Sequence, residues 1–302
     1  MLFPGDTSQW GRHAGTYDPR TSRGRKVLRL LLILLLLFLL AWPFIEPFLL
    51  ETETVTLYAE DLPEVIGQLR IAYVTDIHQG PFYSESRVAA LISRINTLNA
   101  DLVLLGGDYA QDSASAVTFF QHMPRIHARY GVFAVLGNHD RTLPESNLSQ
   151  LRAAMQAAGV TPLVNSVTQV RIGAGSLYLA GIDDVSGGHP DLAGVARQVR
   201  AEDYVIFLSH SPEIIPAALR AEDQNRRLNW FDLGLFGHTH GGQIALVGGL
   251  LRDDGVDDQY RSGWHKQNRI DLLISRGVGT SVLPMRLFCT PQIHLITVQR
   301  AR

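Results

Sequence analysis

Apolar positions along the chain follow two patterns. From Leu30 to Ile45 there is no charge and almost nothing but Leu, Ile and Phe, and past Glu46 the apolar character resumes to Leu50. Beyond that, apolar residues come mostly in short runs stopped by Gly or a polar residue, the pattern of buried strands. The five clearest are Ile71–Val74, Leu102–Leu105, Val132–Leu136, Val205–Leu208 and Leu233–Phe236. Helical spacing marks Ser84–Asn99, with Val88, Leu91, Ile92, Ile95 and Leu98 on one face. Further helices are expected over Ser115–Arg129 and Leu192–Arg200, and after the cap Ser211-Pro212-Glu213. Another runs from the capping box Thr142-Leu143-Pro144-Glu145 to about Ala158. Val55–Tyr58 reads as a strand, and Val164–Ile172 with Ser176–Ile182 as an antiparallel pair. Gly-rich turns then separate short strands at Gln243–Val247, Leu272–Ser275 and Ile293–Gln299. Strand–helix alternation followed by mostly strands predicts an α/β fold: two mixed β-sheets packed as a sandwich and flanked by helices.

The long N-terminal apolar segment changes the picture. It holds about 20 residues, the length a helix needs to cross a bilayer. Arg20, Arg23, Arg25, Lys26 and Arg29 cluster before it, and Pro43 and Pro47 are placed to kink or end the helix on its far side. A cleaved signal peptide competes, but Trp42-Pro43-Phe44-Ile45-Glu46 offers no small-x-small cleavage site. The chain therefore divides into a basic, disordered segment (1–26), a single-pass transmembrane anchor (27–50) and a globular domain (51–302), joined by a short linker at Glu51–Thr54. By the positive-inside rule the N-terminus stays in the cytoplasm. The globular domain then lies on the external side of the cytoplasmic membrane, periplasmic in a Gram-negative cell. A kinked monotopic segment with a cytoplasmic domain is the alternative.

Charge and cysteine content narrow the chemistry. Of 27 basic and 29 acidic residues, 21 and 26 respectively fall in 51–302, so the globular part is mildly acidic and nucleic acid is not an expected partner. The single cysteine, Cys289, excludes an intrachain disulfide and a Cys-rich zinc site. A metal must then be held by Asp, Asn and His.

Such side chains stand at the ends of all five strand-like runs. Asp76 and His78 follow the first, Asp108 the second, Asn138, His139 and Asp140 the third, His210 the fourth, and His238 and His240 the fifth. Strand ends converge on one rim of a sheet, where open α/β folds place their chemistry. Asp76, His78, Asp108, Asn138, His210, His238 and His240 suffice for two divalent ions with positions left open, with one Asp bridging. The donor mix suits Mn²⁺, Fe²⁺/Fe³⁺ or Zn²⁺ without selecting among them. Taken singly, an Asp after a strand is most often a turn residue and a lone His a satisfied surface or core residue; their joint order carries the inference.

The series Asp76-x-His78, Gly107-Asp108, Gly137-Asn138-His139-Asp140, His210 and Gly237-His238-x-His240 resembles the calcineurin-like metallophosphoesterase superfamily. Leu208-Ser209-His210-Ser211-Pro212, Gly237-His238-Thr239-His240-Gly241-Gly242-Gln243 and Ser275-Arg276-Gly277-Val278-Gly279 are similar to its membrane-associated bacterial members of the YkuE/YaeI type. The resemblance implies that Asp76, His78 and His240 hold one ion, Asn138, His210 and His238 the second, and Asp108 bridges. It implies that His139 contacts the substrate phosphate and protonates the leaving oxygen, oriented through its ring by Asp140. It further implies hydrolysis of a phosphodiester, phosphomonoester or pyrophosphate bond. The anchor motivates a lipid-linked substrate. Alternatives are a pyrophosphatase acting on UDP-2,3-diacylglucosamine in lipid A synthesis, which needs a cytoplasmic site, and a non-catalytic scaffold. The sequence leaves the oligomeric state open.

Around this core, Arg141 is a candidate phosphate contact, against the reading of a solvated loop arginine, and Arg276 and Arg286 are candidates to line the substrate groove. Tyr109-Ala110 replaces the expected aliphatic residues after Gly-Asp and is a candidate substrate wall. Asp112, Asp183 and Asp184 read as turn or cap residues. The run Leu246–Leu251 reads as a strand and turn or, if exposed, as an apolar lip.

Overall fold

The computed structural model describes residues 19–142, 145–244 and 256–301, the side chains of 19–22 and 145–147 excepted. By backbone contacts the chain divides into Met1–Trp42 and Pro43–Arg302. A helix, α1 (Pro19–Ile45), begins in the first unit, inside the segment expected to be disordered; residues 1–18 lie outside the described residues. The Leu-rich run favours this helix, with no β-branched cluster or Gly to interrupt it beyond Gly24. The helix passes Pro43, and a 3-10 turn at Glu46–Phe48 follows. The stretch Arg23–Phe48 is long and apolar enough to cross a membrane.

The second unit is built on two six-stranded mixed sheets. The first contains β1 (Glu51–Ala59), β2 (Gln68–Val74), β3 (Leu102–Leu105), β4 (Val132–Ala134), β5 (Val160–Pro162) and β12 (Gln292–Arg300), in the order β1-β12-β2-β3-β4-β5. The second contains β6 (Ser166–Ile172), β7 (Gly175–Gly181), β8 (Val205–Leu208), β9 (Leu233–Phe236), β10 (Gly263–Gln267) and β11 (Ile270–Ile274), ordered β10-β11-β9-β8-β7-β6. Strands β2 to β5 are parallel, as are β7, β8, β9 and β11.

Alternation along the central strands makes a layered core. Ile71, Tyr73, Leu102 and Leu104 meet Leu179, Ile206, Leu208, Leu233 and Leu235 between the sheets. The opposite faces, Ala72, Val74, Val103 and Leu105, pack on α2 (Glu85–Thr97), α3 (Ser113–His122) and α4 (Glu145–Ala157). Phe207, Phe236 and Leu272 are covered on the outer side by Trp230, Phe231 and the neighbourhood of α5 (Leu192–Ala196) and α6 (Ile215–Ala218). Strands apolar on both faces are what a doubly covered sheet requires.

Several boundaries differ from expectation. Glu51–Thr54 is part of β1, because Thr52 and Glu53 pair with Ile293 and His294 of β12. Helix α3 ends at His122, before Met123-Pro124, since a residue preceding proline avoids the helical region. Thr142 does not open a capping box: its hydroxyl donates to His139 O and accepts from Ser113 N, while Leu143 and Pro144 lie outside the described residues. Of Gln243–Val247, Gln243 closes the 3-10 turn His240–Gly242 and Ile244 forms an isolated bridge with Leu287; 245–247, and Leu246–Leu251, lie outside the described residues.

Leu104 is fully buried between the sheets. Leu104→Ala is expected to lower unfolding free energy by about 2–5 kcal/mol in chemical denaturation of the detergent-solubilised chain.

Candidate metal centre

Every expected ligand stands just beyond the C-terminal end of a parallel strand: β2, β3 and β4 of one sheet, β8 and β9 of the other. Parallel-ladder hydrogen bonds run past the strand ends and fix the loops to each other. Asp76 N donates to Gly107 O, His78 N to Asp108 O, and Gly237 N to His210 O. The backbone then turns sharply. Asp76, His78, Asp108, His238 and His240 all take positive φ, between 47° and 70°. Each such residue costs about 1 kcal/mol, and strain of this kind clusters where a site demands it. Two glycines allow the approach: a Cβ at Gly137 would collide with Asp108 Oδ1, and one at Gly237 with Thr75 and the Asp76 carboxylate.

The donors form two overlapping groups. His78 Nε2 is 3.1 Å from His240 Nε2 and 3.4 Å from Asp108 Oδ2, and His240 Nε2 is 3.6 Å from Asp76 Oδ1. On the other side, Asp108 Oδ2 is 3.3 Å from His210 Nε2, which is 3.3 Å from His238 Nδ1; that atom is 3.0 Å from Asn138 Oδ1. Ligands held at about 2.0–2.2 Å from one cation are spaced about 3.0–3.5 Å apart. The donor set therefore fits two cations, with Asp108 Oδ2 common to both groups. His210 Nδ1 bonds Gly106 O at 2.8 Å; the carbonyl can only accept, so the proton stays on Nδ1 and Nε2 is left for a metal.

The cluster is electrostatically unbalanced by itself. Burial pushes the Asp76 carboxyl up to about 6, with the Asp108 charge adding to it. Burial and Asp108 push Asp140 up to about 7. Burial would also raise Asp108, but the imidazoles of His210 and His78 hold it well below the usual carboxylate range. Burial likewise opposes a charge on His210, yet Asp108 and Asp76 hold its pKa well above the ordinary value. Burial brings His78 down to about 4 and His240 well below its usual value, keeping both neutral and able to ligate. A proton on His210 thus does part of what a cation would do.

Other expected residues land differently. The ring of His139 is not oriented by Asp140: its Nδ1 bonds Gln111 O at 2.9 Å. Asp140 is consumed by the backbone, its Oδ2 accepting from Asp108 N and Gly137 N and its Oδ1 from Tyr109 N. It braces the ligand loops. Arg141 is paired with Asp183 at 3.0 Å with both side chains buried, so no free guanidinium is presented to a phosphate. Arg276 packs its stem by Gly241 and does not line the recess over the metal donors. Arg286 is fully buried, bonding Gly279 O and Cys289 O, with Nη2 3.4 Å from His240 Nδ1. Tyr109 is core, not substrate wall: its hydroxyl donates to Val135 O and its ring packs on Phe119 and Phe120. Asp112 caps α3 as expected, and Asp183 and Asp184 bind backbone amides of their own turn. The contribution of Gln111 was illegible, because any residue type supplies a carbonyl. The recess, of ≈ 190 Å³, is lined by His78, Asp108, Asn138, His139, His238 and His240, with Gln243, Ser281 and Val282 on its rim.

The sequence model of the calcineurin-like phosphoesterases matches residues 69–242, which contain all of these donors. The chain belongs to that family. Its members use a dinuclear divalent-metal site, and this chain is a metal-dependent phosphoesterase. It is 26% identical to the uncharacterized metallophosphoesterase YkuE of Bacillus subtilis, over 85% of this chain and 88% of the relative. Identity to the phosphodiesterase YaeI of Escherichia coli is 29%, over 75% and 81%. Identity to a transmembrane protein with metallophosphoesterase domain from Bos taurus is 30%, over 82% of this chain and 57% of that one. An N-terminal apolar helix together with relatives so named suggests a single-pass membrane protein in this case as well.

The raised carboxyls give a pH signature. Asp76 and Asp140 are protonated in the metal-free fold up to about 6 and about 7. Unfolded carboxyls ionise near 4. Their stabilising contribution to the metal-free state is complete below pH 4 and lost as pH rises through 6 to 7. Added Mn²⁺ is therefore expected to raise Tm little at pH 5 and strongly at pH 7.5 in a thermal melt; a pH-independent gain would contradict the assignment. Asp140→Ala is expected to lower Tm and metal affinity together, by about 1–3 kcal/mol in stability for its orphaned amides.

Proposed function

We propose that the protein is a membrane-anchored phosphodiesterase with a two-metal centre, its catalytic domain on the external side of the membrane. The convergence of seven Asp, Asn and His donors into two groups sharing one oxygen of Asp108 carries this reading. Asp76, His78 and His240 would hold one cation and Asn138, His210 and His238 the other. When bound, the ions neutralise the phosphoryl oxygens and lower the pKa of a water toward neutrality. Mn²⁺, Fe²⁺ and Zn²⁺ all suit these donors.

The chain's own residues do the rest. His139 stands on the rim of the donor cluster, its ring 4.8 Å from that of His78. Because Gln111 O only accepts, the Nδ1 proton of His139 stays in place and the exchangeable proton sits on Nε2. That atom gives its proton to the departing ester oxygen and meets the negative charge that develops there. Asp140 maintains the loop spacing on which His139 and Asp108 depend, through its three backbone bonds. The anchor favours a phosphoester whose alcohol or diphosphate belongs to a lipid.

Purified, Mn²⁺-loaded protein is expected to hydrolyse bis(p-nitrophenyl) phosphate. His139→Ala should lower kcat by about 10²–10⁴-fold with both metals retained. Asp108→Ala should remove activity and metal together. Wild-type protein with two bound metals and no activity on any phosphoester would sink the reading.

A further inference from the structure

The rim of the recess is tied to the turn in which the apolar span ends. Glu46 belongs to the Arg23–Phe48 stretch and is only 2% exposed. Its two carboxylate oxygens accept from Phe288 N at 2.9 Å and Cys289 N at 2.5 Å, and Pro43 O accepts from Arg286 N at 2.9 Å. Arg87 adds a bond to Pro47 O at 2.6 Å and lies over the Phe48 ring. From this clasp the loop 279–289 leads back to the site. Arg286 touches His240, Leu287 N donates to Gln243 O, and the Gln243 amide bonds Ser281 N, Ser281 O and Leu283 O. Turn, loop and rim are one hydrogen-bonded unit.

That unit shows water an apolar surface that the described residues of Pro43–Arg302 leave largely open, Arg87 covering one face of the Phe48 ring. Phe48 is 66% exposed, Phe288 63% and Val282 70%. Phe288 and Val282 are held outward at φ 55° and 61°, a backbone state uncommon for large residues and an outlier for β-branched ones. Strain spent on exposing apolar side chains beside a site points to an apolar partner.

We propose that Phe48, Phe288 and Val282 form a lip that seats in the headgroup–acyl boundary of the bilayer. The two-metal recess then opens onto the lipid surface, and its substrates are phosphodiesters of lipids in that leaflet. This rests on the phosphoesterase reading. The occupant is argued from continuity: Phe48 is the last residue of the stretch apolar enough to span, so the surface clasped to Glu46 lies where that stretch meets the headgroups. In the reaction, water adds to phosphorus, the ester P–O bond breaks, and the released oxygen takes a proton.

The test uses the full-length, Mn²⁺-loaded protein in phosphatidylethanolamine/phosphatidylglycerol nanodiscs. A bimane label on Phe288→Cys reads depth, since native Cys289 is buried; the control label is Arg129→Cys, just before the N-terminal end of β4, opposite the ligands. Nitroxide lipids should quench the first label at least about twofold more than the second; equal quenching overturns the proposal. Activity is read on two probes with one leaving group: soluble bis(p-nitrophenyl) phosphate, and a dioleoylglyceryl p-nitrophenyl phosphodiester in the disc. Phe48→Ser/Phe288→Ser should leave the soluble rate within about twofold and lower the lipid rate about tenfold. Parallel loss on both probes overturns the lip. A wild-type chain inactive on the soluble probe refutes the phosphoesterase reading instead, and the quenching comparison still judges the lip.

Discussion

Asp108 is 2% exposed, and one of its oxygens is 3.3 Å from an imidazole nitrogen of His210 and 3.4 Å from one of His78. Asp76, equally buried, faces the same cluster. Buried carboxylates packed against one another are costly unless positive charge compensates them. One protonated histidine cannot balance two carboxylates while also leaving its ring nitrogen free to ligate. Two dications can, and the spacing of the donors matches that solution. Most unusual features of the fold's C-terminal rim serve this one demand.

The demand reaches into the backbone. Five ligands at positive φ and two glycines without room for a Cβ bring loops from both sheets within hydrogen-bond distance. The two sheets supply the rigidity that holds such strain, because their central strands are buried on both faces. Asp140 sits beneath the ligand loops as a peg for three amides, and Gln111 O sets the ring of His139. On the opposite flank Arg286 links His240 to the loop that Glu46 clasps, so the metal centre and the end of the apolar segment share one network.

The seven donors could be read from sequence because each stands at the end of an apolar run, and strand ends in a parallel sheet share a rim. The helix periodicity of α2 was equally plain. What escaped reading depends on partners distant in sequence or on backbone atoms. Arg141 is claimed by Asp183, 42 residues away, and Glu46 by amides 242 and 243 residues away. Tyr109 looked like a site residue because of its position, but its ring finds α3 aromatics in the core. The first strand absorbed the expected linker because β12, near the far end of the chain, offered it a ladder. Neither β5 nor β10 carries an apolar run long enough to signal a strand.

Anomalous X-ray scattering from crystals of the full chain grown with Mn²⁺ addresses the central claim most directly. Two manganese peaks should appear on either side of Asp108 Oδ2, about 3.5–4 Å apart. One would be bounded by Asp76, His78 and His240, the other by Asn138, His210 and His238. A single peak, or density at neither donor group, would contradict the account of the cluster as a two-cation site.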